Sequence, residues 1–271
     1  MGALNHLKVL DLSRILAGPW CGQCLGDLGA EVLKIEHPDG GDDTRKWAPP
    51  YVTQADGSQK DGAYFTACNR NKRSVVIDFS TPEGAALVAR LAEEADIVIE
   101  NFKVGGLAKY GLDYDSLKQK NPGLIYCSIT GFGQTGPYAH RAGYDYLIQA
   151  MGGLMSITGQ PDGQAGGGPV KVGVAVSDLF TGMYATVSIL AAIAHRERTG
   201  EGQHIDCALF DCQTAMLANQ ASNWLVGGIN PERMGNAHPN VVPYRAYQLA
   251  DGHAIIACGN DSQFSRLMAR L

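Results

Sequence analysis

Short apolar runs alternate with helix-forming segments through the first half of the sequence, and this alternation limits the fold more than any other feature. Strands buried on both faces of a parallel sheet read as continuous runs of Val, Ile and Leu, and helices connect them. The sequence therefore predicts an α/β fold with a parallel sheet covered on both faces. The predicted strands span residues 7–12, 30–36, 73–79, 96–102 and 123–132.

Capping and turn residues set the boundaries of the other segments. Thr81 and Pro82 are expected to be the N-cap and first residue of one helix, and Gly200 follows the basic last turn of a long apolar helix. A polar stretch over 37–62 has too few apolar residues for a core element and is predicted to be a surface loop. The glycine-rich stretch over 143–170 is predicted to be a mobile loop.

The pattern changes from about residue 230. A linker is followed by a predicted β-hairpin that turns at Asp251 and Gly252. An amphipathic helix then begins and runs to Leu271 without a capping residue. We therefore expect the chain to be a piece of a longer protein.

Charge and cysteine usage narrow the class of protein. The 271 residues carry a net charge of −5 and no long basic run, which argues against nucleic-acid and membrane partners. No apolar run is expected to span a membrane, and the N-terminus lacks a signal-peptide pattern. The seven cysteines are scattered and odd in number, as in reduced thiols of the cytoplasm.

A C-x-x-C pair, Cys21 and Cys24, follows the first predicted strand, and a tryptophan precedes it. This sequence motif is typical of thioredoxin-like dithiols, in which a helix N-terminus stabilises the thiolate. The pair nevertheless lies in a run of small residues suited to close packing of a helix on a sheet. We interpret it as a packing feature, and redox exchange is the alternative.

Motifs for common cofactors and for hydrolases are missing from the sequence. The turn after the first strand reads SRILAGPWCGQCLG rather than G-x-G-x-x-G, and no Walker lysine is found. No serine lies in a G-x-S-x-G context. The seven histidines do not pair at metal-ligand spacing, so no metal is expected.

An isolated carboxylate, Asp178, stands where an apolar stretch passes into the long apolar helix. One interpretation is an N-cap supplied by Ser177 and Asp178. The other is a partly buried nucleophile near a helix N-terminus, where nearby N–H groups could hold a developing oxyanion. The residue pattern leaves both open.

Blocks along the whole chain resemble the class III CoA-transferases. They include VLDLSRILAGP, LGDLGAEVLKIE, ADIVIENF, GVAVSDLFTGMYA and TGEGQHID. The resemblance implies a Rossmann-like large domain with its linker over 1–225, and the start of a smaller α+β domain over 226–271. It also implies an interlocked homodimer, with a later segment returning to the large domain.

The resemblance also implies the site residues. Asp178 matches the catalytic aspartate of the family, and Tyr144 stands where the racemases of the family carry a histidine. Gly259 stands where some relatives have a multi-glycine flap, of which this chain keeps one glycine. The implied contacts to CoA, which enters as the acyl-CoA substrate, are Leu16, Ala17, His37, Asn101, Phe102, Lys109 and Tyr144.

The implied activity is transfer of CoA from an acyl-CoA, succinyl-CoA or a similar donor, to a carboxylic acid. A carboxylate nucleophile passes through a mixed anhydride and an aspartyl-CoA thioester, which keep the energy of the donor. The glycine-rich loops near 152–168 and 259 are candidates for excluding water. Arg14 and Arg245 are candidate anchors for a second carboxylate of the acceptor.

Two other activities stay open. An α-methylacyl-CoA racemase or epimerase on the same fold needs a second acid/base group beside Asp178, and His140 is the candidate because an unperturbed tyrosine is a poor one. A non-catalytic CoA-binding protein is the alternative from another class, and for it Asp178 would be dispensable.

Overall fold

The first part of the chain forms a six-stranded sheet, and smaller elements follow. The structure is a computed structural model and describes residues 2–271. The strands are β1 (Lys8–Asp11), β2 (Glu31–Glu36), β3 (Tyr51–Thr53), β4 (Gln59–Gly62), β5 (Lys72–Val76), β6 (Ile97–Glu100), β7 (Ile125–Thr130), β8 (His204–Ala208), β9 (Tyr244–Gln248) and β10 (His253–Ala257). The helices are α1 (Ala17–Asp27), α2 (Ala63–Ala67), α3 (Pro82–Glu93), α4 (Tyr114–Leu117), α5 (Asp145–Met151), α6 (Leu154–Ile157), α7 (Val176–Thr199), α8 (Leu209–Ala215), α9 (Ala218–Gly227) and α10 (Asp261–Met268).

The strands of the main sheet stand in the order β5-β2-β1-β6-β7-β8, and every neighbouring pair is parallel. This is the order of a doubly wound, Rossmann-like sheet, in which the first and fourth strands lie side by side at the centre. The chain moves outwards from β1 in both directions, so a crevice opens beyond the carboxyl ends of β1 and β6. The predicted α/β fold with a parallel sheet is confirmed.

Alternate side chains of the central strands fill two apolar cores, one on each face of the sheet. Ile97 and Ile99 belong to the core that is shared with α1 and α7. Val98, between them, belongs to the core that is shared with α3. All three side chains are fully buried, which explains why β6 reads as an unbroken apolar run.

Helix α7 approaches the start of α1 closely. A β-carbon on Gly182 would lie 2.7 Å from the carbonyl oxygen of Ala17, so only glycine permits this distance. Asp178 is one helical turn before Gly182. The close approach therefore holds the first turn of α7 beside the loop that follows β1.

The predicted helix boundaries are confirmed. The Thr81 hydroxyl accepts a hydrogen bond from the backbone N–H of Gly84 at 3.1 Å, and Pro82 is the first residue of α3. Helix α7 ends at Gly200, which adopts φ 79°, a left-handed conformation that glycine reaches without strain.

Helix α7 is also long and apolar enough to cross a membrane, contrary to the expectation from the sequence that no apolar run would do so. Ala185, Ile189, Ala192 and Ile193 of this helix are buried in the core on the α1 face of the sheet. This is the environment of the central helix of a globular domain.

The two stretches that were predicted to be loops contain regular structure. The segment over 37–62 forms a 3₁₀ helix (Asp43–Lys46) and the β3–β4 hairpin. Asp42 caps the 3₁₀ helix by accepting a hydrogen bond from the backbone N–H of Thr44. Polar contacts of this kind, and not the burial of apolar side chains, hold this segment in place. The segment over 143–170 contains α5 and α6, and burial of Ile148 accounts for α5.

The chain divides into two compact units. The first comprises residues up to Ile148 together with Val174–Ala215, and the second comprises Gln149–Gly173 together with Met216–Leu271. The second unit contains α9, which was not predicted, and the predicted hairpin as β9 and β10. The domain boundary near residue 226 stays a prediction.

Candidate functional site

The loops after β1 and β6 meet at the carboxyl edge of the sheet. The side-chain oxygen of Asn101 accepts a hydrogen bond from the backbone N–H of Arg14 at 2.8 Å. Its side-chain nitrogen donates to the carbonyl oxygen of Arg14 at 2.6 Å. Asn101 follows β6 directly, so it fastens the two loops that border the crevice.

The loop after β1 has a left-handed residue that is not glycine. Ile15 has φ 73°, a conformation that is costly for a β-branched side chain. Its backbone N–H donates to both carboxylate oxygens of Asp42 at 3.3 Å. The strained turn directly precedes Leu16, which is the N-cap of α1, and Ala17, which is its first residue.

A buried ammonium supports the same loop. The Lys34 Nζ atom donates to the carbonyl oxygen of Ser13 at 2.7 Å and lies 3.0 Å from a carboxylate oxygen of Asp42. The Lys34 side chain is 1% exposed. Burial acts to lower the pKa of Lys34, but the charges of Asp11 and Asp42 outweigh it and raise this pKa.

Two cavities lie along this edge of the sheet. The cavity that we call the His37 cavity has a volume of about 240 Å³, and its lining includes Lys34, His37, Phe79 and Tyr110. The Asp178 cavity has a volume of about 190 Å³. Arg14 and Phe102 line both cavities.

The Asp178 cavity collects residues from five parts of the first unit. They come from the loop after β1, the loop after β6, the segment from Ile129 to Asp145, and the starts of α7 and α8. Its charged and titratable side chains, within the described part of the chain, are Arg14, Lys103, His140, Arg141, Tyr144, Asp145 and Asp178.

Asp178 lies in the first turn of α7 and is not the N-cap. The N-cap position is Ala175, and no side chain of that residue caps the helix. The interpretation of Asp178 as an N-cap was therefore wrong. Instead, Oδ1 of Asp145 accepts hydrogen bonds from the backbone N–H groups of Ser177 at 2.8 Å and of Asp178 at 3.4 Å.

The environment of Asp178 favours its neutral form. Burial, and after it the negative charge of Asp145, raise the pKa of Asp178 to about 7. A carboxyl group with such a raised pKa in a cavity is typical of a functional site. Its ionised form is more basic and more nucleophilic than the carboxylate of an ordinary aspartate.

Most predicted site residues line one of the two cavities. Leu16, Ala17, Asn101, Phe102 and Tyr144 line the Asp178 cavity, and the Tyr144 side chain is 67% exposed. His37 lines the other cavity. Their roles stay predictions.

Lys109 lines neither cavity. Its Nζ atom lies 4.7 Å from the ring centre of Tyr110, which lines the His37 cavity. Gly259 and Arg245 belong to the second unit.

Asp145 and Arg141 were not singled out from the sequence. Arg141 lines the Asp178 cavity, with its guanidinium 4.0 Å from the ring centre of Tyr138. Asp145 could have been noticed because it directly follows Tyr144. Its contact with α7, however, is made to backbone N–H groups, which every residue except proline has, so the sequence pattern does not reveal it.

The thiols of the C-x-x-C pair have the properties of packing residues. Cys21 is fully buried, and Thr186 donates a hydrogen bond to its sulfur at 3.4 Å. Burial raises the pKa of Cys21 to about 12, whereas a redox thiol needs a lowered pKa. Among residues 2–271, no group of three or more His, Cys, Asp or Glu side chains could hold a metal ion.

The fold and the site define a class of protein. It is a doubly wound α/β domain whose central crevice holds a half-buried aspartate with a raised pKa. The profile of CoA-transferase family III matches residues 4–271, and the chain belongs to this family. It is 61% identical over 264 residues to the succinate–glutarate CoA-transferase of Agrobacterium fabrum, covering 97% of this chain and 65% of that protein.

Further relatives agree with this assignment. The chain is 46% identical to the mouse succinyl-CoA:glutarate CoA-transferase, covering 98% of this chain and 58% of the mouse protein. The crystal structure of a CAIB/BAIF family protein from Brucella suis superposes with a TM-score of 0.89 at 60% identity, covering 99% of this chain and 69% of that one. The chain thus spans 58–69% of the length of these relatives.

Proposed function

We propose that this protein transfers CoA from succinyl-CoA to a dicarboxylic acid, with Asp178 as the nucleophile. The observation that carries the proposal is the Asp178 carboxyl group in the central crevice of a family III chain, where burial and the neighbouring Asp145 raise its pKa to about 7. A group of this kind is about half ionised near neutral pH and reacts through the ionised form.

The names of the relatives support the choice of substrates. Relatives that share 39–61% identity with the chain include transferases named for glutarate, mesaconate, oxalate and D-citramalate as acceptors. All four acceptors are dicarboxylic acids. Three cationic side chains, Arg14, Lys103 and Arg141, line the Asp178 cavity, and we propose that one or more of them binds the second carboxylate of the acceptor.

The reaction begins with attack on the donor. The Asp178 carboxylate attacks the thioester carbonyl of succinyl-CoA, and the C–S bond breaks to give a mixed anhydride and the CoA thiolate. The thiolate then attacks the Asp178 carbonyl of the anhydride. This step releases succinate and leaves an aspartyl-CoA thioester.

The second half repeats these steps in reverse. The acceptor carboxylate attacks the aspartyl thioester, and the thiolate that leaves attacks the acyl carbonyl of the new anhydride. The products are the acceptor's CoA thioester and the free Asp178 carboxylate. The number of thioester bonds is the same before and after, so no ATP is needed.

The two cavities suggest how CoA lies on the protein. We propose that the nucleotide end binds in the His37 cavity and that the pantetheine arm reaches Asp178 past Leu16 and Ala17. Arg14 and Phe102 line both cavities, as a continuous path requires. The roles of Asn101, Lys109 and Tyr144 in CoA binding belong to the same proposal.

We also propose that the protein is a cytoplasmic homodimer. The seven cysteines are free, as in a reducing compartment. Helix α9 exposes large apolar side chains, and Val226 is 90% exposed. Apolar surface of this kind is typical of an interface, and light scattering tests the dimer.

Trapping of the intermediate tests the activity. The protein is incubated with succinyl-CoA and then treated with hydroxylamine or borohydride, and the modified peptide is identified by mass spectrometry. We expect modification of Asp178, and CoA transfer to glutarate that is lost in Asp178→Asn. Asp211→Asn is the matched control, because Asp211 lies in the first turn of α8 and is exposed.

Other results would contradict the proposal. Modification of another residue, or unchanged transfer in Asp178→Asn, would exclude the nucleophile. Exchange of an α-deuterium in a branched acyl-CoA without any acceptor would instead support the racemase alternative, for which His140 lines the same cavity as Asp178.

A further inference from the structure

Asp145 is the acidic neighbour of Asp178, although 32 residues separate the two in the chain. Oδ1 of Asp145 accepts hydrogen bonds from the backbone N–H groups of Ser177 and Asp178. Asp145 is the first residue of α5, and Asp178 lies in the first turn of α7. The two carboxyl groups therefore share one helix N-terminus and one cavity.

The first consequence concerns hydrogen bonds. Free N–H groups in the first turn of a helix, together with the helix dipole, stabilise a nearby carboxylate and lower its basicity. Asp145 occupies two of these N–H groups. Asp178 therefore gains less stabilisation from its own helix than an aspartate at this position would ordinarily receive.

The second consequence concerns charge. Of the described residues that line the cavity, Asp145 and Asp178 are the acidic ones. Tyr64 of α2 also faces the pair, and burial, followed by the charge of Asp178, raises its pKa to about 12. The cationic side chains of the cavity, together with His140, are exposed to solvent, which weakens their effect.

Arg14 has a partner of its own that further limits its effect on Asp178. Its guanidinium lies 3.0 Å from a carboxylate oxygen of Asp43. Part of the positive charge of Arg14 is therefore neutralised by Asp43.

We propose that Asp145 is the positioning residue that makes Asp178 a strong nucleophile, by occupying the first-turn N–H groups of α7 and by placing a second negative charge beside Asp178. The proposal rests on the function proposed above. Repulsion between the two carboxylates exists only while Asp178 is ionised, because Asp178 carries no charge in the anhydride and in the aspartyl thioester. Asp145 therefore destabilises the free carboxylate relative to both intermediates and favours the attack.

The variant Asp145→Asn separates charge from geometry. The asparagine side chain keeps an oxygen that can accept the same N–H groups, but it has no negative charge. We expect the acid limb of the pH profile of kcat, near pH 7 in the wild type, to move down by about one pH unit or more. We also expect a smaller fraction of enzyme trapped as the aspartyl thioester during turnover.

A control and a second measurement keep the test decisive. Glu83→Gln removes an exposed carboxylate from the first turn of α3 and should leave the pH profile unchanged. Carbon-13 NMR of the aspartate carboxyl groups, with Asp178→Asn to assign the signal, follows the ionisation of Asp178 directly. We expect its midpoint to be lower in Asp145→Asn than in the wild type.

The outcomes distinguish the two proposals. An unchanged NMR midpoint in a folded Asp145→Asn protein overturns the role of Asp145. A lowered midpoint without any CoA transfer by the wild type supports the coupling and overturns the proposed function. Asp145→Ala, which also loses the acceptor oxygen, should melt at a lower temperature than Asp145→Asn; equal melting would overturn the capping part of the proposal.

Discussion

Lys72 and Asp11 form an ion pair inside the first unit, with 2.9 Å between Nζ and Oδ2 and no more than 2% of either side chain exposed. Lys72 begins β5, and Asp11 ends β1. The ammonium group also donates to the carbonyl oxygen of Pro19 at 2.8 Å and to the side-chain oxygen of Asn69 at 3.0 Å. The pair therefore ties the end of β1 and the first turn of α1 to a strand two positions away in the sheet.

Replacement of Lys72 by methionine should destabilise the protein strongly. The change leaves the Asp11 carboxylate buried without its cationic partner, which typically costs about 3–5 kcal/mol of unfolding free energy. Chemical denaturation measures the loss. Lys118→Met is the matched control, because the ion pair of Lys118 with Asp115 is exposed and its removal should have no measurable effect. Equal stability of Lys72→Met and the wild type would show that the pair is not needed.

Asn101→Ala should weaken the CoA binding that we propose for this crevice. Asn101 holds the backbone of Arg14 through two hydrogen bonds, and their loss frees the two loops that border the crevice. At about 1 kcal/mol for each bond, we expect the Kd for CoA to rise roughly ten-fold or more, as measured by isothermal titration calorimetry. Asn121→Ala is the control: Asn121 donates to the carbonyl oxygen of Ala95, before β6, so stability should fall without a change in Kd. Similar Kd values for Asn101→Ala and the wild type would contradict this role.

The sequence pattern predicts the sheet well because burial on both faces produces unbroken apolar runs, as in Ile97 to Ile99. It does not predict the strand order, which depends on contacts between distant segments. The hairpin of β3 and β4 escapes prediction because polar contacts, such as the hydrogen bonds of Arg45 to Glu36 and Asp61, hold this region. The sequence of this hairpin has no periodic pattern of apolar residues from which its strands could be predicted.

The same contrast applies to the candidate site. Asp178 stands out because it is an isolated charge at the start of an apolar helix. Asp145 does not, because its effect depends on hydrogen bonds to backbone atoms 32 and 33 residues further along the chain. When a residue acts through the backbone N–H groups of other residues, the identity of those residues does not reveal the contact.

Cys21 should react slowly with alkylating reagents. Burial raises its pKa to about 12, so its thiolate fraction near pH 8 is smaller by orders of magnitude than that of an ordinary cysteine. We expect iodoacetamide to label the half-buried Cys24 before Cys21 in the native protein, and both at similar rates after unfolding, as measured by mass spectrometry of the peptides. Rapid labelling of native Cys21, or a disulfide between the two, would favour the redox alternative.

Asp178→Asn should make the protein more stable at pH 8 but not at pH 4. The pKa of Asp178 is about 7 in the folded state, and an aspartate in an unfolded chain has a pKa near 4. Between these values the folded state binds more protons, so the stability of the wild type falls as pH rises from about 4 to 7 and then levels off. Asparagine never ionises and avoids this loss.

After allowance for the partial exposure of Asp178, the gain at pH 8 should be roughly 1–2 kcal/mol, or several degrees in Tm. Thermal melts of both proteins across this pH range measure it. Asp211→Asn, an exposed change in the first turn of α8, should show no such pH-dependent gain. If Asp178→Asn gains nothing at pH 8, then the ionised carboxylate is well solvated, and the strong nucleophile proposed for this crevice loses its physical basis.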